Sequence, residues 1–314
     1  MQAGLLTGAH TESSMNSLTK LEEALKKKDE NTITEITLSH TSEERYQIRE
    51  AYTSKFGHDL IEDLKKYTKS DLSETLQSIY KEPIEYDADL LYKAMEGIGT
   101  NDDILIEVIT FRSFEKLTKV KQKFQEKYSK DLISQVKSET SGEYRNGLVT
   151  LLEKERSTNN SPDLENCKRI AEELYKAGEG KIGTNDKVFV EYWTTLSGEE
   201  LSLVGKEYHK DHAKTLINVV ENEFSGKLKK LLINILYATL SPSEYFARQI
   251  NKAIKGAGTD DTTLIRSIVS RMDVDMNLIK KYYKKLFKKD MASDIKGDTS
   301  GNYQKVLLHL IGES

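Results

Sequence analysis

Three times in this chain a glycine-threonine turn is followed at one fixed distance by a carboxylate. Gly99 of Gly97-Ile98-Gly99-Thr100 precedes Glu139, Gly183 of Lys181-Ile182-Gly183-Thr184 precedes Glu223, and Gly258 of Gly256-Ala257-Gly258-Thr259 precedes Asp298, each acid lying 40 positions after its glycine. The chemistry that such a pairing suits is a hard cation. Glycines let a turn aim successive carbonyl oxygens inward, and a carboxylate from a neighbouring turn can close the shell with both oxygens, as Ca²⁺, which accepts 6–8 oxygens in flexible geometry, allows. Water or an outside oxygen would fill the rest. With one carboxylate against a divalent ion the occupied site stays positive, so its affinity alone is expected on the order of 10⁻⁵ to 10⁻³ M. The plain alternative for any single copy is a helix corner, with glycine as left-handed C-cap and threonine as N-cap of the next helix. Asp102, Asp103, Asp186, Asp260 and Asp261, just after the threonines, are accounted for as first-turn charges that complement a helix dipole and need not be ligands. A corner alone leaves three equidistant acids, each beside a second Ser-Gly turn, without an explanation.

The elements that must carry these loops are repeats. Aligned on the threonine, Ser138-Glu139-Thr140-Ser141-Gly142 lies over Asn222-Glu223-Phe224-Ser225-Gly226 and Gly297-Asp298-Thr299-Ser300-Gly301 with no gap. The same frame moved towards the N-terminus places Lys27 on the second glycine, Lys28 on the threonine and Tyr67 on the acid, a copy that keeps the length and has lost the chemistry. The threonine-equivalent positions are 72, 84 and 75 residues apart, room for several helices per unit. The expected division is a short tail over 1–16 and repeats over 17–84, 85–160, 161–240 and 241–314. Only three prolines occur, Pro83, Pro162 and Pro242, each between repeats; Ser161-Pro162 and Ser241-Pro242 read as an N-cap followed by proline at the first helical position. Runs such as Ile104-Leu105-Val108-Ile109 and Leu148-Leu151-Leu152 have helical spacing, and period-two alternation is scarce, so the chain is expected to be all-α. The stretch from Glu153 to Glu165 is the best linker, expected to separate two pairs of repeats.

Composition is that of an ordinary helical protein, with 37% hydrophobic and 31% charged residues and a net charge of −4. The single cysteine, Cys167, excludes an internal disulfide framework, fits a reducing compartment, and is expected to pack on the first helix of the third repeat. No apolar run of about 18 residues and no signal-peptide pattern is present. Gln2 rather than glycine argues against myristoylation. Other motifs fail on context. Gly178-x-Gly180-x-x-Gly183 follows a helical segment rather than a strand, which argues against nucleotide binding. Asp273-x-Asp275-x-Asn277 has Leu278 where an EF-hand needs glycine and reads as a helix start. The six histidines show no metal-ligand spacing, with His209 and His212 read as solvated helix, and Trp193 is placed in the core. No catalytic constellation is found. Arg112 with Asp131 and Arg271 with Asp290 recur 19 residues apart in two repeats, while the third has Leu196 and Thr215 and the first His40 and Asp59; an ion pair inside the repeat is expected.

Met95-Glu96-Gly97-Ile98-Gly99-Thr100 and Ile254-Lys255-Gly256-Ala257-Gly258-Thr259, with their downstream acids, resemble the calcium loops of annexins, and Ala177-Gly178-Glu179-Gly180-Lys181-Ile182-Gly183-Thr184 resembles the variant loop of the annexin third repeat. The resemblance covers residues 17 to 314. It implies a curved disc of four five-helix repeats, calcium sites on the convex face and reversible docking on acidic phospholipid of the phosphatidylserine kind; no enzyme activity is expected, and the expected location is cytoplasmic. The implied ligands are the carbonyls of Met95, Gly97 and Gly99 with Glu139; of Gly178, Lys181 and Gly183 with Glu223; and of Ile254, Gly256 and Gly258 with Asp298. No such site is expected in the first repeat. An acidic chain without a polybasic cluster approaches anionic lipid only when cations bridge the two. Ile98 and Ile182, at the loop tips, are expected to meet the lipid boundary. The alternative is a scaffold that uses the same helical surface for cytoskeletal or tail-binding proteins, with calcium as modulator; no nucleic-acid partner is indicated.

Overall fold

The computed structural model describes residues 8–256 and 258–313, so the first seven residues of the expected tail, Ala257 of the fourth repeat's loop and Ser314 lie outside it. Among the described residues there are twenty α-helices and no strand, five helices to a repeat. The first repeat holds α1 (Gly8–Lys27), α2 (Glu30–Leu38), α3 (Ser42–Phe56), α4 (Leu60–Tyr67) and α5 (Ser70–Ile79). The second holds α6 (Pro83–Met95), α7 (Asp102–Thr110), α8 (Phe114–Tyr128), α9 (Leu132–Glu139) and α10 (Gly142–Glu153). The third holds α11 (Leu164–Ala177), α12 (Asp186–Thr195), α13 (Gly198–His212), α14 (Leu216–Glu223) and α15 (Gly226–Leu240). The fourth holds α16 (Pro242–Ile254), α17 (Asp261–Val269), α18 (Met276–Phe287), α19 (Met291–Asp298) and α20 (Gly301–Leu310). Residues 8–16, placed in a polar tail by the sequence reading, are the opening turns of α1.

The sequence dictates these helices through apolar spacing and through caps. In α11 the buried residues are Cys167, Ile170, Ala171, Leu174 and Ala177, one stripe at intervals of three and four. Trp193 is likewise fully buried on α12. Pro242 opens α16 as expected, and Pro83 opens α6, whereas Ser161-Pro162 opens nothing: α11 starts after Asp163, whose side chain accepts from Asn166 N at 2.6 Å. Asp275 precedes α18, so the EF-hand-like segment is a helix start.

The described residues condense into two compact units, one of residues 8–83 with 246–313 and one of 84–245. The first repeat therefore joins the fourth and the second joins the third. In each unit the second and fifth helices of both repeats form the centre: α2, α5, α17 and α20 in one, α7, α10, α12 and α15 in the other. This corrects the role expected of the Glu153–Glu165 stretch, which lies inside one unit. It is stitched down there by Ser157 N to Thr195 O (2.9 Å), Arg156 Nε to Leu196 O (3.1 Å) and Ser197 Oγ to Asn159 O (2.7 Å).

The Arg112–Asp131 and Arg271–Asp290 pairs do not form. Arg112 makes a two-bond ion pair with Asp87 at 2.7 and 2.8 Å, both side chains buried, and Arg271 pairs with Asp275 one turn along at 2.7 and 2.8 Å. Burial works against the Arg112 charge, and the adjoining Asp87 carboxylate more than offsets this, raising its pKa. Asp131 has a different task. It caps α9 by accepting Ser134 N at 2.8 Å; Thr215 accepts Asn218 N on α14 and Asp59 accepts Ile61 N on α4, whereas Asp290 precedes α19 without a side-chain cap bond and pairs with Lys284 at 3.1 Å. Aspartate and threonine alternate at this position because both are good N-caps, while an ion-pair role would forbid threonine.

Replacing Asp131 by alanine is expected to cost about 1 kcal/mol, and Asp131→Thr to recover most of it. In a double-mutant cycle read from urea unfolding midpoints, Arg112→Met should add to Asp131→Ala without coupling and should couple to Asp87→Ala by more than about 1 kcal/mol. Coupling between Arg112 and Asp131 would restore the discarded ion pair.

Candidate metal centres

Each loop is the connection between the first and second helices of a repeat, closed at its neck by one backbone bond. The N–H of the residue before the second helix donates to an alanine near the end of the first: Asn101 to Ala94 at 2.8 Å, Asn185 to Ala177 at 2.7 Å, Asp260 to Ala253 at 2.9 Å. These same residues are the N-caps, and Asn101 and Asp260 accept Ile104 N and Thr263 N. The threonine is thereby released from capping. Its hydroxyl instead reaches the distant acid: Thr100 Oγ1 donates to Glu139 Oε2 at 2.8 Å, Thr184 Oγ1 to Glu223 Oε2 at 2.8 Å, and Thr259 Oγ1 to Asp298 Oδ2 at 2.5 Å. The fixed spacing read from the sequence is this hydrogen bond, made three times.

Glu139, Glu223 and Asp298 are the last residues of α9, α14 and α19, so a rigid helix end delivers each carboxylate to its loop. Gly99, Gly183 and Gly258 have φ of 87°, 81° and 94°, where a side chain would be strained. Gly97 has φ of 88°, whereas neither Lys181 nor Gly256 at the corresponding places is in the left-handed region; the third loop differs by one more residue between neck alanine and N-cap, Ala177 to Asn185 against Ala94 to Asn101. Gly180 N reaches back to Tyr175 O at 2.8 Å and Lys181 N to Gly178 O at 3.2 Å. The Gly178 carbonyl, an expected ligand, thus already accepts one hydrogen bond inside the loop and has a second lone pair to offer. Met95 and Ile254 bury their side chains at the ends of α6 and α16, which leaves the backbone carbonyl as what they can give a cation. Ile98 and Ile182 are 109% and 106% exposed, touching none of the core.

The acids after the threonine turn towards protein partners. Asp102 accepts from Tyr144 at 2.7 Å and pairs with Lys227 at 2.8 Å, Asp103 pairs with Lys230, and Asp261 accepts from Tyr303 at 2.8 Å. Burial and the facing carboxylate push the Tyr144 and Tyr303 phenols far above their usual range. Asp261 is itself raised, by burial first and by the charges of Asp71, Asp298 and Asp260. Asp186 is also raised by burial, and no tyrosine stands at the matching position, Leu228. Glu179, inside the third loop, is occupied by Tyr208 (2.7 Å) and Lys214. The threonine hydroxyl and these tyrosines are what the sequence reading missed; their signals were the 39-residue Thr-to-acid and 42-residue Asp-to-Tyr intervals.

In the first repeat the neck bond runs from Asp29 N to Ala24 O at 2.9 Å, and Asp29 is only five positions past Ala24 where Asn101 is seven past Ala94. Two residues of the loop are missing there. Lys28 occupies the turn at φ 55°, and Lys66 lies 4.8 Å over the Tyr67 ring where the other copies have an acid.

Comparison with known proteins agrees with this architecture. The annexin family model matches residues 18–79, 86–151, 169–235 and 245–310. Annexin A1 of Rattus norvegicus is 36% identical over 284 residues, covering 90% of this chain and 82% of that protein. The structure of annexin III superposes with a TM-score of 0.90 at 31% identity, covering 96% of this chain and 94% of that one. A calcium-bound structure of annexin (Sm)1 does so with a TM-score of 0.79 at 27% identity, covering 96% and 90%. This chain belongs to the annexin family, whose general property is calcium-dependent binding to phospholipid.

Proposed function

We propose that calcium held in the second, third and fourth loops bridges this protein to acidic phospholipid, so that it docks reversibly on membrane surfaces from the cytoplasm. The observation that carries the reading is the threonine-carboxylate bond recurring beside three glycine loops, two of them tipped by fully exposed isoleucines. Met95, Gly97, Gly99 and Glu139 would hold one ion; Gly178, Lys181, Gly183 and Glu223 a second; Ile254, Gly256, Gly258 and Asp298 a third. The donor set is all oxygen, which suits a hard cation. When bound, the ion supplies positive charge that attracts a lipid phosphate or carboxylate. The protein's part is to keep each carboxylate at the loop through the threonine and to present the tip isoleucines to the interface, where burying one side chain fully is worth about 1.5–3 kcal/mol.

Among the described residues no helix is long and apolar enough to cross a membrane, and the net charge of −4 gives no attraction of its own to anionic lipid. The first repeat, with its shortened loop and Lys28, contributes no site of this type to the proposal. Annexins are in general non-enzymatic calcium- and phospholipid-binding proteins.

The protein is expected to sediment with phosphatidylserine vesicles in calcium and to be released by chelator. Replacing Glu139, Glu223 and Asp298 together by alanine should raise the calcium needed for half-maximal sedimentation at least about tenfold, each 1.4 kcal/mol of lost binding being one factor of ten. Wild-type calcium dependence in that triple variant would reject the assigned sites.

Ile98→Asp combined with Ile182→Asp should weaken vesicle binding about tenfold or more while leaving the calcium-free unfolding midpoint within about 0.5 kcal/mol, since exposed sites contribute little to stability. Unchanged lipid affinity would remove the isoleucines from the membrane contact.

A further inference from the structure

The first repeat has lost its glycine loop, and in the same repeat three metal-ligating side chains converge elsewhere. We propose that Glu22, His58 and Asp63 bind a divalent transition-metal ion of the zinc class. One ligand atom from each lies within 4.8 Å of the others, and His58 Nδ1 is 2.6 Å from Asp63 Oδ2. The Tyr52 hydroxyl, fully buried, lies against both Glu22 Oε2 and Asp63 Oδ2 (2.7 Å); its single proton is shared between the two carboxylates, which are thereby held around one point. No spacing pattern in the sequence discloses the set, because the three residues come from the last two turns of α1, the turn after α3 and the middle of α4.

The fourth repeat supplies an internal control, since it builds the same scaffold from other side chains. Tyr283 donates to Asp294 Oδ2 at 2.6 Å and accepts Asn251 Nδ2 at 3.0 Å, with Lys289 Nζ 3.8 Å from Asp294. His58 and Asp63 stand 6 and 11 positions after Tyr52, as Lys289 and Asp294 do after Tyr283. Glu22 and Asn251 each precede by two the alanine that closes the neck. One carboxylate and one amide therefore satisfy the buried tyrosine, with an ammonium beside the carboxylate. In the first repeat the amide has become a carboxylate and the ammonium an imidazole, each change turning a group that cannot ligate, or ligates poorly, into a metal ligand. Lysine also stands at the matching positions 130 and 214, so histidine is particular to this repeat.

Charge points the same way. The Glu22 and Asp63 side chains are 8% and 13% exposed, and the ammonium that salt-bridges Glu22 is Lys26, itself 65% exposed and 2.6 Å from Oε1. Two withdrawn carboxylates around one hydroxyl repel each other, and a divalent ion between them offsets that cost. A carboxylate offers about four lone-pair sites, so Tyr52 and Lys26 can keep their bonds when an ion arrives. The imidazole selects zinc-like ions over calcium or magnesium, and one histidine with two carboxylates plus water completes a four-coordinate shell. His58 is 46% exposed, which gives the ion and its water an entry, while its ring is set edge-on to Tyr52 at a centroid distance of 5.6 Å. Ligation through Nδ1 moves the imidazole proton to Nε2 and displaces the contact with Asp63.

The test titrates zinc into the full chain in calcium-free buffer by calorimetry, comparing wild type with His58→Lys and Glu22→Gln. His58→Lys installs the fourth repeat's residue, and Glu22→Gln leaves Tyr52 an acceptor, so both should keep the wild-type melting temperature and calcium-dependent vesicle binding. Zinc bound at the three glycine loops is common to all three proteins and cancels. The expected result is one site weakened at least about tenfold in each variant, and His58 imidazole NMR signals in wild type that shift with one equivalent of zinc. Wild-type zinc affinity in either variant, or His58 signals that stay in place, would overturn the proposal.

Discussion

A threonine hydroxyl donating to a carboxylate 39 positions downstream ties two separate turns of a repeat into one place, and every candidate calcium site rests on it. The loop alone is a set of carbonyls with no charge, and the acid alone is a helix end. The bond joins them through the body of the repeat: the loop is anchored at its neck by the alanine carbonyl, the acid by the last turn of the fourth helix, and the packing of helices between them holds the distance. Insertions between loop and acid would have to pass through that packing, so the interval is conserved inside the chain even though the intervals between repeats differ.

The first repeat shows what happens when the constraint is lifted. Its neck closes two residues sooner, leaving no room for the glycine turn, and the threonine and acid have become Lys28 and Tyr67. The helices persist because their stability resides in buried apolar stripes and caps, which do not involve the loop. Without the glycine loop, the repeat carries histidine and glutamate in the network around Tyr52, where the fourth repeat carries lysine and asparagine around Tyr283.

Much of this was legible in the sequence because it is periodic. Helical spacing, four repeats and the loop-to-acid interval are all patterns along the chain, and the structure keeps them. What was not legible depends on pairing across space. The linker over residues 153–165 looked like a boundary because it is polar, yet Arg156 and Ser157 bind it to the backbone of residues 195 and 196, and the repeats pair first with fourth and second with third. Arg112 and Asp131 covary for two unrelated reasons, one an ion pair with Asp87 and the other an N-cap. The threonine looked like an N-cap because of its type; the residue after it holds that place, and only the geometry shows that its hydroxyl faces the acid.

The account stands or falls on whether calcium and lipid share a site. Ions that bridge protein to phospholipid must be bound more tightly when lipid completes their shell, and linkage makes the two enhancements equal. The direct measurement is the calcium affinity of the protein in solution and on phosphatidylserine vesicles, alongside the lipid affinity at low and high calcium. The bridging account predicts that vesicles tighten calcium binding by the same factor, at least about tenfold, by which calcium tightens vesicle binding. Equal calcium affinity with and without vesicles would contradict it.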